Sequence, residues 1–176
     1  MKVDAGKTTI LNELENRGFK KAVNHTTRQK REGEETTAEY IFLGKEEFEQ
    51  MWEQGELLQR AEFNGEYYGI STNSLQDNIA CIQIVKSIED VKQRAQELGR
   101  QDAKIVSFYL YVPAEERTRR MLVRGDSIEM IQKRVKVDNG KFKEAKDFVD
   151  YVVENKTDNV EQTVEEIIRL YNKGRA

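Results

Sequence analysis

Apolar residues recur at helical spacing near the start of the chain. Ile10, Leu11 and Leu14 share one face of a segment that begins at Gly6-Lys7-Thr8 and stops at Asn16-Arg17-Gly18. This spacing predicts a first helix, because residues three and four apart lie on one side of a helix. Further helices are predicted over residues 45–55, 88–98, 114–123, 127–136, 141–148 and 160–171.

Short apolar runs predict strands between these helices. The run at 105–112, stopped by Pro113, is the clearest candidate for a buried strand, and Asn64-Gly65 is a hairpin turn between runs at 57–63 and 67–70. Strands are also predicted at 21–23, 40–43, 80–85 and 151–154. Strands that alternate with helices at both ends of the chain predict a parallel α/β sheet, and the strand-rich stretch from about 24 to 70 predicts an inserted lobe.

Bulk properties narrow the class of protein. A chain of 176 residues with a net charge of -3 predicts one compact domain and argues against a nucleic-acid binder that relies on positive potential. The single cysteine, Cys81, cannot form an internal disulfide, and no apolar run approaches the roughly 20 residues needed to cross a bilayer. We therefore expect a cytoplasmic protein that neither enters a membrane nor binds nucleic acid.

The segment Ala5-Gly6-Lys7-Thr8-Thr9 is the first candidate for chemistry. It matches the end of the nucleotide-binding pattern G-x-x-x-x-G-K-[ST], in which backbone N–H groups and the lysine hold phosphates. The first glycine of that pattern would fall at Met1, and the strand that should precede it is missing. Divergence from the pattern is one explanation; further residues before Met1 are the other, and we expect the second. Taken alone, the segment is equally compatible with an ordinary helix start.

A second candidate is the polar stretch at 25–34. Arg28 and Arg31 lie three residues apart with Thr26 and Thr27 beside them. A guanidinium binds a phosphate through its planar fork, so the stretch suits an anion. A solvated basic loop is the alternative that this spacing leaves open.

Several motifs follow one another along the chain in the order found in a known protein family. It reads T-T-R-x-x-R-x-G-E from Thr26, then Tyr40-Ile41-Phe42 and Tyr67-Tyr68-Gly69. Later come Arg124-Gly125-Asp126-Ser127 with Ile131 and Arg134, and finally Asp150-Tyr151-Val152-Val153-Glu154-Asn155. Together these motifs resemble those of guanylate kinases nearly from end to end.

The resemblance implies a fold and a division of the chain. It implies an α/β protein, a P-loop NTPase with three α/β/α layers around a parallel sheet, an inserted α+β acceptor-binding lobe and a small helical lid. One domain would span 1–176, with its core at 1–23, 72–120 and 138–176, its lobe at 24–71 and its lid at about 121–137.

The resemblance also implies a role for particular residues. ATP would be bound by Gly6, Lys7, Thr8, Thr9, Arg124 and Asn155, with Mg²⁺ at Thr8. Charge on the transferring phosphoryl group would be balanced by Lys7, Arg120, Arg124 and Arg134. The acceptor would be held by Asn24, Arg28, Arg31, Tyr40, Gln59 and Tyr68. No general base is expected, since phosphoryl transfer depends on positioning and charge cancellation.

The positions that read the base depart from the family pattern. Gln59 stands where the family has a glutamate, and Ile70 where it has a serine or threonine. An ionised carboxylate accepts two N–H bonds from guanine, whereas an amide offers one acceptor and a donor pair. The stretch 81–86 also lacks the aspartates usual in the family.

Three hypotheses follow. The leading one is ATP-dependent phosphoryl transfer to a nucleoside monophosphate, with GMP as the default acceptor, by a monomer or homodimer. A second is a family kinase that acts on a ribose phosphate. The third is a binding module that recognises a phosphorylated peptide through Arg28, Arg31 and Tyr40.

Overall fold

The computed structural model describes residues 6–30, 40–74, 78–79, 87–123, 125–155 and 159–175. They form two compact units, one of Met1–Arg17 with Val106–Ala176 and the other of Gly18–Ile105. In chain order the elements are α1 (Lys7–Asn16), β1 (Lys20–Lys21), β2 (Asn24–Thr26), β3 (Tyr40–Phe42), α2 (Lys45–Glu53), β4 (Ala61–Phe63), β5 (Glu66–Ile70), a 3₁₀ turn (Thr72–Ser74), β6 (Asn78–Ile79), α3 (Ser87–Glu97), β7 (Phe108–Tyr111), α4 (Ala114–Val123), α5 (Ile128–Ala145), β8 (Tyr151–Glu154) and α6 (Val160–Arg175).

The first unit is built around the parallel pair β7–β8, whose register places Phe108 opposite Tyr151. α1 and α6 pack together, and their apolar faces are buried through Ile10, Leu14 and Val164. These are residues that helical spacing places on the inner face. The helix predicted at the start of the chain and the strand predicted at 151–154 are both confirmed.

The second unit contains a four-stranded mixed sheet in the order β3-β2-β5-β4. β2 runs parallel to β3 and antiparallel to β5, while β1 and β6 form a separate parallel pair. Asn64 and Gly65 both have positive φ angles, 53° and 76°, which confirms the predicted turn between β4 and β5. Phe48 of α2 is fully buried in this unit.

The predicted break between the helices at 127–136 and 141–148 is wrong. Residues 127–136 and 141–148 were expected to form two helices, but α5 is continuous from Ile128 to Ala145. Asn139 lies in its middle and accepts a hydrogen bond from the guanidinium of Arg117, a buried residue of α4. This bond between helices stabilises a segment whose glycine, Gly140, would weaken an isolated helix by about 1 kcal/mol.

Three strand predictions also need correction. The strand expected at 21–23 is Lys20–Lys21, and the run at 57–63 becomes the strand Ala61–Phe63 with a single bridge from Leu57 to Ser71. The run at 105–112 narrows to Phe108–Tyr111 and is half-buried rather than buried. It begins at Phe108 because the N–H of Ser107 is bonded to the side chain of Asp150. The strand expected at 80–85 lies outside the described residues.

Candidate active site

The start of α1 leaves backbone N–H groups without a partner inside the helix. Gly6 has φ 69° and ψ 17°, a left-handed conformation that other residues adopt at a cost. The first helical bond runs from the Ile10 N–H to the Gly6 carbonyl, so the N–H groups of the residues between them point out of the helix end. Lys7 is half-buried there, and Thr8 and Thr9 are exposed.

Arg120 and Asn155, two other residues of the predicted site, lie beside Gly6. A Cβ atom on Gly6 would lie 2.5 Å from Asn155 Nδ2 and 3.7 Å from Arg120 Nη1. Asn155 is 3% exposed and its N–H donates to the Tyr111 carbonyl at 2.7 Å, which fixes it at the end of β8. The structure therefore brings Gly6, Arg120 and Asn155 together at the helix start.

The guanidinium of Arg120 is held in place from two sides. Its Nε donates to Glu116 at 2.9 Å, and its Nη2 lies 3.5 Å from the Asn155 carbonyl. Its side chain is 15% exposed, whereas that of the neighbouring Arg119 is 56% exposed. The Arg119 side chain thus lies on a solvated face of α4, and the Arg120 side chain is mostly withdrawn from solvent.

Arg134, another predicted arginine of this unit, forms an ion pair. Its Nη1 lies 2.7 Å from Asp126 Oδ2, and both side chains are about 15% exposed. Sequence reasoning missed Asp126 as the partner, although the Arg124-Gly125-Asp126-Ser127 motif contains it. Arg124 itself lies outside the described residues.

In the other unit, Arg28 is held at the end of β2. Its backbone N–H donates to the hydroxyl of Thr26, which is fully buried, at 3.3 Å. Its guanidinium carbon lies 5.1 Å from the ring centre of Tyr40, within the range of a cation–π contact. Two residues of the predicted acceptor site, Arg28 and Tyr40, are therefore in contact. Arg31 lies outside the described residues.

Thr27 ties the same segment to β5. Its hydroxyl donates to Glu66 at 2.5 Å and accepts from the Tyr67 N–H at 2.9 Å, while its own N–H donates to the Tyr67 carbonyl at 3.1 Å. Tyr68 is half-buried and lies opposite Thr26 in the sheet register. Glu66 carried no sequence signal, because its partner lies 39 residues earlier in the chain.

Gly69 explains part of the Tyr67-Tyr68-Gly69 motif through packing. A Cβ atom there would lie 2.8 Å from the Gln59 carbonyl oxygen and 2.9 Å from the Phe48 ring. Gln59 is 6% exposed, and Asn24 lies opposite Ile70 in the sheet. Gln59 and Asn24, two residues of the predicted acceptor site, thus both border β5.

His25 is buried in the sheet between Ile41 and Gly69. Burial lowers the pKa of its imidazole below the usual value, against the smaller opposing effects of a hydrogen bond to the Val23 backbone and the charge of Glu56. His25 therefore belongs to the packed interior of the sheet.

The start of α1 offers an oxygen donor of the kind that suits Mg²⁺. Within the part of the chain that the structure describes, no three His, Cys, Asp or Glu side chains are grouped so that they could hold a metal ion. Mg²⁺ bound with ATP takes few protein ligands and prefers oxygen, which the exposed hydroxyl of Thr8 supplies.

Among the described helices, none is both long enough and apolar enough to span a membrane.

Comparison with known proteins places these features in one family. The family model described as "Guanylate kinase" matches residues 3–171. The guanylate kinase of Shouchella clausii is 38% identical over 170 residues, covering 92% of this chain and 79% of that protein. The guanylate kinase of a Wolbachia from Brugia malayi is 33% identical over 177 residues, covering 97% and 88%. The crystal structure of guanylate kinase from Anaplasma phagocytophilum has the same fold, with a TM-score of 0.63 and 24% identity over 96% of this chain and 81% of that one.

Proposed function

The chain belongs to the guanylate kinase family, and from this premise we propose how its residues carry out the ATP-dependent phosphorylation of GMP to GDP. The family match over residues 3–171 carries the assignment. In the reaction the bond from the γ-phosphorus to the β–γ bridging oxygen breaks, and a bond to an oxygen of the GMP phosphate forms. ADP is the leaving group, and the acceptor oxygen needs little activation by a base.

ATP phosphates are held at the start of α1. The N–H groups that follow Gly6, the Lys7 ammonium and the Thr8 and Thr9 hydroxyls present positive charge and hydrogen-bond donors to them. The left-handed Gly6, with Arg120 and Asn155 beside it, supports this role. Thr8 would hold Mg²⁺, which would supply further neutralisation of phosphate charge.

The arginines of the first unit balance the charge that is transferred. Arg120, Arg124 and Arg134 neutralise the equatorial oxygens of the γ-phosphoryl group. The low exposure of the Arg120 and Arg134 side chains supports this role. A cation that is shielded from water acts through a lower effective dielectric constant, which strengthens its interaction with negative charge.

The acceptor is bound in the inserted lobe at 24–71. Arg28, Arg31, Tyr40 and Tyr68 hold its phosphate, and Asn24 and Gln59 face its base. The contact between Arg28 and Tyr40 supports the phosphate role.

We further propose that residues 121–137 act as the lid and that residues 1–23, 72–120 and 138–176 form a three-layer P-loop core. We also propose that the protein works in the cytoplasm, as a monomer or homodimer, and does not bind nucleic acid.

A coupled assay of ADP formation tests the function. With ATP and Mg²⁺, the purified chain should phosphorylate GMP faster than AMP or a ribose phosphate. Lys7→Met should lower kcat by at least about 100-fold, as expected for loss of charge stabilisation, whereas Lys20→Met at an exposed position of β1 should not. Failure to form ADP with GMP would contradict the proposal, and equal rates with a ribose phosphate would favour the second hypothesis. The binding-module hypothesis is set aside, because the matched relatives bear the enzyme's name.

A further inference from the structure

Phe42 contacts the same guanidinium as Tyr40. The guanidinium carbon of Arg28 lies 5.2 Å from the ring centre of Phe42 and 5.1 Å from that of Tyr40. The two ring centres are 6.1 Å apart. One cation is therefore in contact with two aromatic rings at once.

The backbone explains why both rings reach Arg28. Tyr40 and Phe42 are two residues apart on β3, so they project from the same side of the sheet, and Ile41 projects from the other side with 44% exposure. β3 runs parallel to β2, with Phe42 opposite Thr26, and Arg28 follows two residues later. A second cation, Lys30 Nζ, also lies 5.3 Å from the Phe42 ring centre.

We propose that Phe42 is a positioning residue for the acceptor phosphate, acting through Arg28; this rests on the proposed function. The electron-rich faces of aromatic rings attract a guanidinium, and Arg28 Nη1 also donates to the Gln29 carbonyl at 3.0 Å, so two rings and one carbonyl together restrict the orientation of this guanidinium. Holding the guanidinium in one orientation before the acceptor arrives lowers the entropy that binding must overcome. Phe42 thus favours acceptor binding without touching the acceptor.

Substitution with matched controls tests the inference. Phe42→Leu should raise the KM for GMP by roughly three- to thirtyfold, the range that a cation–π contact accounts for, and should leave the KM for ATP unchanged. Phe42→Tyr should restore the KM for GMP, because it keeps the ring. Ile41→Val, on the opposite side of the same strand, should behave like the wild type, and melting temperatures should establish that each variant is folded.

A fluorinated series separates attraction from packing. Each fluorine added to the phenylalanine ring at position 42 withdraws electron density from its face with little change of shape. The dissociation constant for GMP, measured by calorimetry, should rise stepwise from mono- to trifluorophenylalanine. A flat series would overturn the inference, as would an unchanged KM in Phe42→Leu. If the wild-type chain neither binds nor phosphorylates GMP, the proposed function fails and the inference with it.

Discussion

The Asn155 carboxamide lies so close to Gly6 that a single added methyl group would collide with it, at 2.5 Å from Asn155 Nδ2. Gly6 also needs its positive φ angle, so an alanine there meets two separate penalties. Gly18, after the other end of α1, shares the positive φ at 93°, but a Cβ atom added there would meet no atom within 4 Å. Comparing alanine substitutions at these two glycines therefore distinguishes the effect of backbone strain from that of steric contact.

Gly6→Ala should lower kcat/KM for ATP by about 100-fold or more, because the collision displaces the phosphate-binding start of α1. Gly18→Ala carries the conformational penalty of about 1–2 kcal/mol alone and should lose stability with little change in kinetics. Steady-state kinetics with ATP as the varied substrate, together with thermal unfolding, distinguishes the two. Equal kinetic losses in both variants would show that backbone strain, rather than the contact with Asn155, matters at Gly6.

Adjacent arginines on α4 offer a second comparison. Arg120→Met should lower kcat by about 100-fold, since it removes a mostly buried cation beside Gly6. Arg119→Met removes an exposed cation that also pairs with Glu116, and kcat should stay within about twofold of the wild type, as is usual for surface positions. Steady-state rates at saturating ATP and GMP, which give kcat, measure the difference. Similar kcat values for the two variants would exclude the proposed role of Arg120.

Gln59 should set how strongly the acceptor base is discriminated. Gln59→Glu adds an ionised acceptor for the two guanine N–H groups, and we expect kcat/KM for GMP over AMP to rise by roughly tenfold. Gln59→Leu, which keeps the bulk and removes both polar groups, serves as the control and should lower that ratio. An unchanged ratio in Gln59→Glu, with the protein folded, would remove Gln59 from the acceptor site.

Burial of His25 makes stability depend on pH. Because the folded pKa of His25 is lowered, the unfolded chain binds the proton more readily, and the free energy of unfolding should fall as pH drops below about 6.5. Above that pH the imidazole is neutral in both states and the contribution is fully present. His25→Gln should remove this step, and His25 is the only histidine in the sequence. Denaturant titrations at pH 7.5 and 5.5 that show the same difference for both proteins would contradict this assignment.

Ser107 and Asp150 hold the beginnings of β7 and β8 together. The Ser107 hydroxyl donates to Asp150 Oδ2 at 2.5 Å and accepts from the Asp150 N–H at 3.0 Å. Ser107→Ala should lower the free energy of unfolding by about 2 kcal/mol, because it removes a bond to a charged carboxylate as well as the bond from the Asp150 N–H. Ser71→Ala, which removes an exposed turn bond to the Asn73 N–H, should cost less in the same denaturant titration. A larger loss at Ser71 would contradict this ranking.

The boundary errors share one physical cause. Residues 138–140 have the local composition of a helix break, yet Arg117 bonds to Asn139 from another helix and α5 continues. The run at 105–112 is apolar throughout, yet pairing with β8 and the Asp150 side chain confine the strand to Phe108–Tyr111. In each case a contact with a residue distant in the chain sets where the helix or strand begins or ends, which the neighbouring residues alone do not determine.

The amino-acid sequence by itself determined the family, the start of the first helix at Gly6-Lys7-Thr8, the hairpin turn at Asn64-Gly65 and the identity of the candidate phosphate ligands. These features depend on residue type and short spacing, because glycine conformation, helical periodicity and the motifs can be recognised from the amino acids themselves. Only the tertiary structure decided that Asn155 packs on Gly6, that Arg120 rather than Arg119 is withdrawn from solvent, and that Phe42 shares Arg28 with Tyr40. Those relationships join residues from separate elements, and the packing that brings such elements together is a property of the whole fold.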